Sequence, residues 1–171
     1  WATTYGLPLV GTHCTNSYGP TQFSEKYVGL CTGLIERGAT VQIHARDGVP
    51  SSRYYIHSSD VASAVQVVLE RGGLMRGPTS GRYNISSAVE RSNLDIAQQI
   101  AAILGKPLRY ELVDHVASRP RHDQRYAVDS STLRELGWSE SVPFERGLAE
   151  TVRSYVAPRV PTGDIHGDVP A

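Results

Sequence analysis

Cysteine and lysine are both scarce in this sequence. Two of its 171 residues are cysteines, Cys14 and Cys31. With no second Cys pair and no zinc-ribbon spacing, a disulfide scaffold is excluded, and two reduced, packed thiols in a cytoplasmic protein are expected. No apolar run exceeds a few residues, so no transmembrane helix is predicted and no membrane partner is expected. Basic and acidic residues balance at 17 each, and no polybasic tail occurs. Steering toward nucleic acid or anionic lipid is therefore not expected. Gly-x-Gly-x-x-Gly, Gly-x-x-x-x-Gly-Lys-Ser/Thr and His-Glu-x-x-His are all absent, and the six histidines lack tight ligand spacing. Neither a dinucleotide fingerprint, nor an ATPase phosphate loop, nor a metal site can be placed. An initiator methionine and a signal peptide are missing too. Trp1-Ala2-Thr3-Thr4-Tyr5 reads as the middle of a helix, and the expectation is a chain whose upstream part is absent.

What is present fits one ordinary domain with a sizeable core. Only Lys26 and Lys106 are lysines; the other fifteen basic residues are arginines. That favours recognition of phosphate or carboxylate through planar, bidentate forks.

Periodicity predicts alternating strands and helices. Leu7–Thr12 is an apolar run expected as a buried strand, ended by a polar turn over 15–20. A helix is expected from Ser24 to about Arg37 with Tyr27, Leu30, Cys31, Leu34 and Ile35 on its buried face, capped by Gly38. Thr40–His44 alternates as a strand, Asp47-Gly48-Val49-Pro50 is a turn, and Tyr54–Ile56 is briefly extended. Ser58 or Ser59 is expected to cap a helix carrying Val61, Ala64, Val65, Val68 and Leu69. A strand over 82–86 follows, then a helix from Ser92 or Asn93 to Gly105 and a strand over 108–113. Asp129 or Ser130 opens a short helix, and Phe144, Leu148, Val152 and Tyr155 mark the last one. The tail from Ala157 is proline- and glycine-rich and is expected to be flexible. The whole is α/β, with too few strands for a self-sufficient doubly wound sheet.

Two polar loops stand out. Cys14-Thr15-Asn16-Ser17-Tyr18-Gly19-Pro20 follows a strand directly, at what would be the carboxyl edge of a sheet, where ligands of α/β proteins bind. Asn16 there offers a donor and an acceptor, and Lys26 a point charge from the start of the next helix. A turn plus a helix start explains the same residues equally well. The second loop, Ser118-Arg119-Pro120-Arg121-His122-Asp123-Gln124-Arg125-Tyr126, reads either as an anion clamp or as a solvated basic face. Arg53, before Tyr54-Tyr55, is a third clamp candidate; either tyrosine could stack on a ligand or pack in the core.

Taken in order, TYGLPLVGTHCTNSYGP (4–20), the EK pair at 25–26, RYYIHSSDVASAV (53–65), RYNIS (82–86), SRPRHDQRYAVD (118–129) and LGWSESVPFERGLAETVRSY (136–155) resemble the C-terminal half of an extended short-chain dehydrogenase/reductase, specifically a nucleotide-sugar 4,6-dehydratase of the dTDP-glucose 4,6-dehydratase type. The resemblance implies a Rossmann-like α/β fold whose N-terminal dinucleotide-binding half lies outside this chain. Residues 1–23 would give the last strands of that sheet and the crossover. Residues 24–156 would be mainly the small substrate-binding domain, and 157–171 a flexible tail. It also implies NAD as cofactor, a nucleoside-diphosphate sugar as substrate, a companion N-terminal half and a homodimer when intact. By the same resemblance Asn16 and Lys26 contact the sugar and its diphosphate, Arg53 and Arg119 hold phosphate oxygens, and Asn84 and His122 line the pocket. Cys14, Thr15, Asn16 and Ser17 approach the nicotinamide end of NAD. The family's reaction oxidises sugar C4, eliminates water across C5 and C6 and returns hydride to C6, an overall non-redox change. Its Gly-rich motif, Tyr-x-x-x-Lys pair and threonine-acid-acid trio have no counterpart in these residues, so no catalytic side chain is expected here and the chain alone should be inactive. Position 29 is Gly where the family commonly has Pro, and position 121 is Arg where it commonly has Gly. An epimerase or decarboxylase on the same scaffold, or a non-catalytic nucleotide- or anion-binding module, are the rival readings.

Overall fold

A computed structural model describes residues 2–74, 80–114 and 125–157. The chain order is α1 (Ala2–Tyr5), β1 (Gly11–Cys14), β2 (Asn16–Tyr18), α2 (Tyr27–Glu36), β3 (Val41–Arg46), β4 (Val49–Pro50), β5 (Ser52–His57), α3 (Ser58–Arg71), β6 (Arg82–Ile85), β7 (Glu90–Ser92), α4 (Asn93–Leu104), β8 (Tyr110–Asp114), β9 (Arg125–Tyr126), α5 (Ser131–Glu135) and α6 (Phe144–Val156). Strand β1 pairs with β6 in parallel. Strands β2, β5 and β7 form a second sheet, with β9 also on β5, and β4, β3 and β8 form a third. The parallel pairs β1–β6, β2–β5 and β3–β8 are each joined by chain that includes at least one helix, as parallel crossovers require.

Strand β5 sits between two cores because successive side chains point to opposite faces. Tyr55 joins a cluster with Tyr18, Val28, Ile43, Ile100 and Leu148. Ile56 joins a second with Ala64, Val68, Ile85, Leu133 and Trp138. Both clusters are long-range, so the fold rests on packing rather than on local propensity.

Several sequence expectations are corrected. The first strand is Gly11–Cys14, not 7–12: Pro8 has no N–H for a ladder, and Leu7 and Leu9 are exposed. The expected turn over 15–20 contains strand β2. Helix α2 starts at Tyr27, three residues late, and is rotated from the expected face. Val28, Gly29, Cys31, Thr32 and Ile35 are buried, whereas Leu30 is exposed. YVGLCTGLI is apolar nearly all round, and α4 and α6, which both pack on it, decide which side is covered. Helix α3 is capped by His57, whose Nδ1 accepts from Ser59 N–H at 3.3 Å, rather than by a serine. Val65 and Leu69 of its expected stripe are exposed. Cys31 is buried as expected, but Cys14 is exposed rather than packed. Asp47 (φ 52) and Gly48 (φ 77) make the two central positions of a tight β3–β4 hairpin, the geometry that Asp-Gly favours.

Gly29 has a local cause. A Cβ there would lie 2.8 Å from the Tyr155 ring and 2.9 Å from Ser24 Cα, and Tyr155 donates its hydroxyl to the Gln22 carbonyl at 2.8 Å. The contact fixes α6 against the loop that leads to Lys26. Gly29→Ala should cost about 1–3 kcal/mol through overpacking, read as a lowered urea midpoint. A midpoint equal to the parent's would show that Tyr155 yields instead.

Candidate functional site

Parallel register of β2 with β5 places Asn16 beside Tyr55 and Tyr18 beside His57. The chain leaves β2 through Gly19 and Pro20 and returns at Lys26, the N-cap residue of α2. Between them lies a cavity of about 270 Å³ lined by Asn16, Ser17, Gln22, Lys26, Tyr27 and Tyr55. Gln22 Nε2 donates to the Ser17 carbonyl at 2.7 Å, holding the loop against the strand. Asn16 and Lys26 are both exposed and are brought to one concave surface. An uncapped helix start with a lysine and no acidic residue in its first turn is an electropositive corner.

Arg53 lies two residues before Tyr55 on the same face of β5, 8% exposed, opposite Arg91 of β7. Its Nη1 donates to the Ser52 carbonyl at 2.6 Å. It is adjacent to the cavity through Tyr55 and is not among the residues that line it. Asn84 lies on β6 opposite His13, and its Nδ2 donates to the Asp129 carbonyl at 2.7 Å. The structure thus spends the Asn84 amide on joining β6 to the start of α5. Asp129 in turn accepts from Ser131 N–H at 2.8 Å and Ser131 Oγ at 3.0 Å, bonds that hold its carboxyl below the usual range. Thr15 is buried, and both its N–H (3.0 Å) and its hydroxyl (3.5 Å) point to the Ile85 carbonyl. Cys14 and Asn16 flank it with exposed side chains. Arg119 and His122 lie outside the described residues.

A second cavity of about 430 Å³ shares Tyr27 with the first and runs between α2 and β3. Leu30 and Leu34 give it apolar walls; Gln42 and His44 give it polar ones. Gln42 Nε2 donates to Glu111 Oε1 at 2.8 Å across β3 and β8. These residues escaped sequence reasoning, although the alternation of Val41 and Ile43 with Gln42 and His44 carried the signal. Between the cavities the tyrosines are committed donors. Tyr27 gives its hydroxyl to the Asn93 carbonyl at 2.6 Å and Tyr55 to Asn93 Oδ1 at 3.0 Å. Burial pushes both phenols above their ordinary range, and pushes the Cys31 thiol up to about 12. Burial also raises the Cys14 thiol, so neither cysteine is a ready thiolate.

No cluster of metal-ligating side chains occurs among the described residues, and no described helix is long and apolar enough to cross a membrane.

The α/β arrangement, with parallel strand pairs joined through helices, is Rossmann-like and of the extended short-chain dehydrogenase/reductase kind. The family described as GDP-mannose 4,6 dehydratase matches residues 1–151, and the chain belongs to it. A dTDP-glucose 4,6-dehydratase of Xanthomonas campestris is 38% identical over 162 residues, covering 90% of this chain and 44% of that protein. A trifunctional UDP-glucose 4,6-dehydratase/epimerase/reductase of Arabidopsis thaliana is 36% identical over 163 residues, covering 95% of this chain and 23% of that protein. Among solved structures, dTDP-glucose 4,6-dehydratase of Bacillus anthracis in complex with NAD superposes with a TM-score of 0.73 at 33% identity, over 91% of this chain and 47% of the other. UDP-glucuronic acid 4-epimerase of Bacillus cereus, with a TM-score of 0.76 over 91% of this chain and 47% of the other, is 20% identical and shares the fold alone. The chain spans less than half the length of these relatives.

Proposed function

We propose that the chain supplies the nucleotide-sugar-binding part of an NAD-dependent nucleoside-diphosphate-sugar 4,6-dehydratase. The observation that carries this reading is the convergence of Asn16, Ser17 and Lys26 on one cavity beside Tyr55 and Arg53. Two linked phosphates need fixed, multidentate donors. Lys26 supplies a point charge, Arg53 a fork, and Arg119 and His122 complete the clamp in this reading. The larger, more apolar cavity across Tyr27 suits the nucleobase. Asn16 reaches toward the sugar. Asn84 would act from the edge of the pocket while its amide holds Asp129.

The exposed edge at Cys14, Asn16 and Ser17, with Thr15 tied to Ile85, fits one flank of a flat cofactor ring. It provides no cradle for a dinucleotide's phosphates. NAD, when bound, supplies hydride exchange; this chain's share is to orient the sugar against it. A further segment bearing the Gly-rich motif and the Tyr-x-x-x-Lys pair belongs to the active unit, which we take to be a cytoplasmic homodimer. Relatives named dTDP-glucose 4,6-dehydratase are 33–38% identical, against 18–26% for 4-epimerase structures, and this favours dehydration over 4-epimerisation.

Calorimetry with a nucleoside-diphosphate sugar, on the protein containing both halves at about 0.15 M salt, tests the assignment. Arg53→Ala and Arg119→Ala should each weaken binding by about 10–150-fold, the equivalent of one charge-assisted donor set. Arg121→Ala should change it little. Unchanged affinity in folded Arg53→Ala and Arg119→Ala would sink the clamp and leave the 118–126 loop a solvated basic face.

A further inference from the structure

Strand β8 closes one side of the β4–β3–β8 sheet, and no described strand pairs with its other edge. Its parallel register with β3 sets Tyr110 beside Val41 and Leu112 beside Ile43. Residues paired in this way share a face of the sheet. Val41 and Ile43 are buried beneath Ile35 of α2 and Ile100 of α4, whereas Tyr110 and Leu112 are 45% and 43% exposed. The apolar face of the sheet therefore runs out from under its helices at β8.

Charged residues alternate with these apolar ones. Arg109 and Glu111 are exposed, two positions apart, and so share the opposite face. Glu111 gives Oε1 to Gln42 at 2.8 Å. Arg109 has no side-chain partner among the described residues.

The backbone of the same strand is half used. Val41 N–H donates to the Arg109 carbonyl at 2.8 Å. In a parallel ladder, residues 109, 111 and 113 then turn their N–H and C=O groups toward β3, and Tyr110 and Leu112 turn theirs outward. Such an edge is a template for a further strand.

Charge order selects the strand that fits. Consider a second copy of β8 arriving antiparallel about a two-fold axis. Centred on Arg109, it sets arginine against arginine; centred on Glu111, glutamate against glutamate. Centred on Leu112, it sets Tyr110 against Asp114 and Glu111 against Val113. Centred on Tyr110, it sets Arg109 against Glu111 on both sides of the axis, and Leu112 against Leu108. Tyr110 then exchanges backbone bonds with its own copy. Arg109 and Glu111 fall at the non-hydrogen-bonded positions, where Cα atoms approach to about 4.5 Å and opposite charges attract across the strands. The order Arg-x-Glu is thus complementary to itself when reversed.

We infer that β8 is a self-recognition edge, at which two copies of this chain join as an antiparallel strand pair centred on Tyr110 and make one continuous sheet. The edge shares no residue with the Asn16–Lys26 cavity, and the inference stands whether or not the chain binds a nucleotide sugar.

Sedimentation equilibrium of the full chain at about 0.15 M salt tests it. Followed up to about 500 μM, the chain should form a dimer with a dissociation constant of about 100 μM or below, the weak end that suits a small interface. Arg109→Glu or Glu111→Arg puts like charges opposite each other on both sides of the axis and should weaken the dimer at least about tenfold. The double swap Arg109→Glu/Glu111→Arg should return it to within about threefold of the parent. In an oxidised equal mixture of Arg109→Cys and Glu111→Cys chains, peptide mapping should find position 109 of one joined to position 111 of the other, since about 4.5 Å between Cα atoms admits a disulfide. A parent that stays monomeric would overturn the proposal, as would single reversals that leave the dimer intact or a double swap no tighter than they are. Cross-links of 109 to 109 or of 111 to 111 in place of 109 to 111 would show another register and overturn it too, even if a charge-reversed chain fails to fold.

Discussion

Purified 171-residue chain, incubated with NAD and dTDP- or UDP-glucose, should form no detectable 4-keto product. The expected rate is at least about four orders of magnitude below that of a protein carrying both halves of the proposed active unit, since a positioned acid–base group alone contributes about 10²–10⁴ and no Gly-x-Gly-x-x-Gly cofactor motif occurs in this sequence. Nothing described in the chain can stand in for the missing pair. Tyr5 is exposed, and Leu9 rather than a lysine lies four positions on. Tyr18, Tyr27 and Tyr55 all have phenols raised by burial, the wrong direction for a proton-relay tyrosine near neutral pH, and each donates to a fixed acceptor. Product assays on the chain alone and on the protein with both halves check this. Turnover by the chain alone comparable to the complete protein would show that its own side chains carry the chemistry.

Asp60→Ala should be the most damaging single change to stability. Its carboxylate is 1% exposed and ties α3 to residues 141 and 142 through three bonds. Removal takes the acceptor from two backbone N–H groups and a hydroxyl; Ser141 is exposed and Val142 half-buried, so water replaces part of what is lost. With about 1–3 kcal/mol for a buried donor left unsatisfied, the loss should be about 2–4 kcal/mol. At about 2–4 °C per kcal/mol for this chain length, the melting temperature should fall by roughly 4–16 °C. Asp60→Asn keeps one acceptor and should lose about half as much. Thermal unfolding of the two variants beside the parent gives the order directly. Equal melting temperatures for Asp60→Ala and parent would mean that the 139–143 loop is held by its apolar neighbours alone.

Asp60 also marks where sequence reading stopped. The apolar stripe around it predicted α3 but carried no hint that a carboxylate on that helix anchors a loop some eighty residues later. Local signals served best where the chain punctuates itself. In α4, Ser92 Oγ accepts from Asp95 N–H at 3.0 Å, and Gly105 takes φ 64 at the other end. They failed where tertiary packing decides. Leu30 and Val28 are equally apolar, yet α4 and α6 bury the second and leave the first to line a cavity. Strands β7 and β9, three and two residues long, are too short for any periodicity to reveal. In the candidate site, Asn16 and Lys26, singled out by type and position, line one cavity. Gln42 and His44 depend on which strands become neighbours, and only the fold settles that.

The two tyrosine hydroxyls at the ends of α6 set a limit on local motion. Tyr18 reaches from β2 to the Phe144 carbonyl at its first turn, and Tyr155 reaches from its last turn to the Gln22 carbonyl. The segment from Tyr18 to Gln22, next to the Asn16–Lys26 cavity, is therefore riveted to both ends of one helix. Breathing of the cavity rim and fraying of α6 become a single event. Amide exchange should report them as one cooperative opening unit, with a common protection for α6 and for the start of α2.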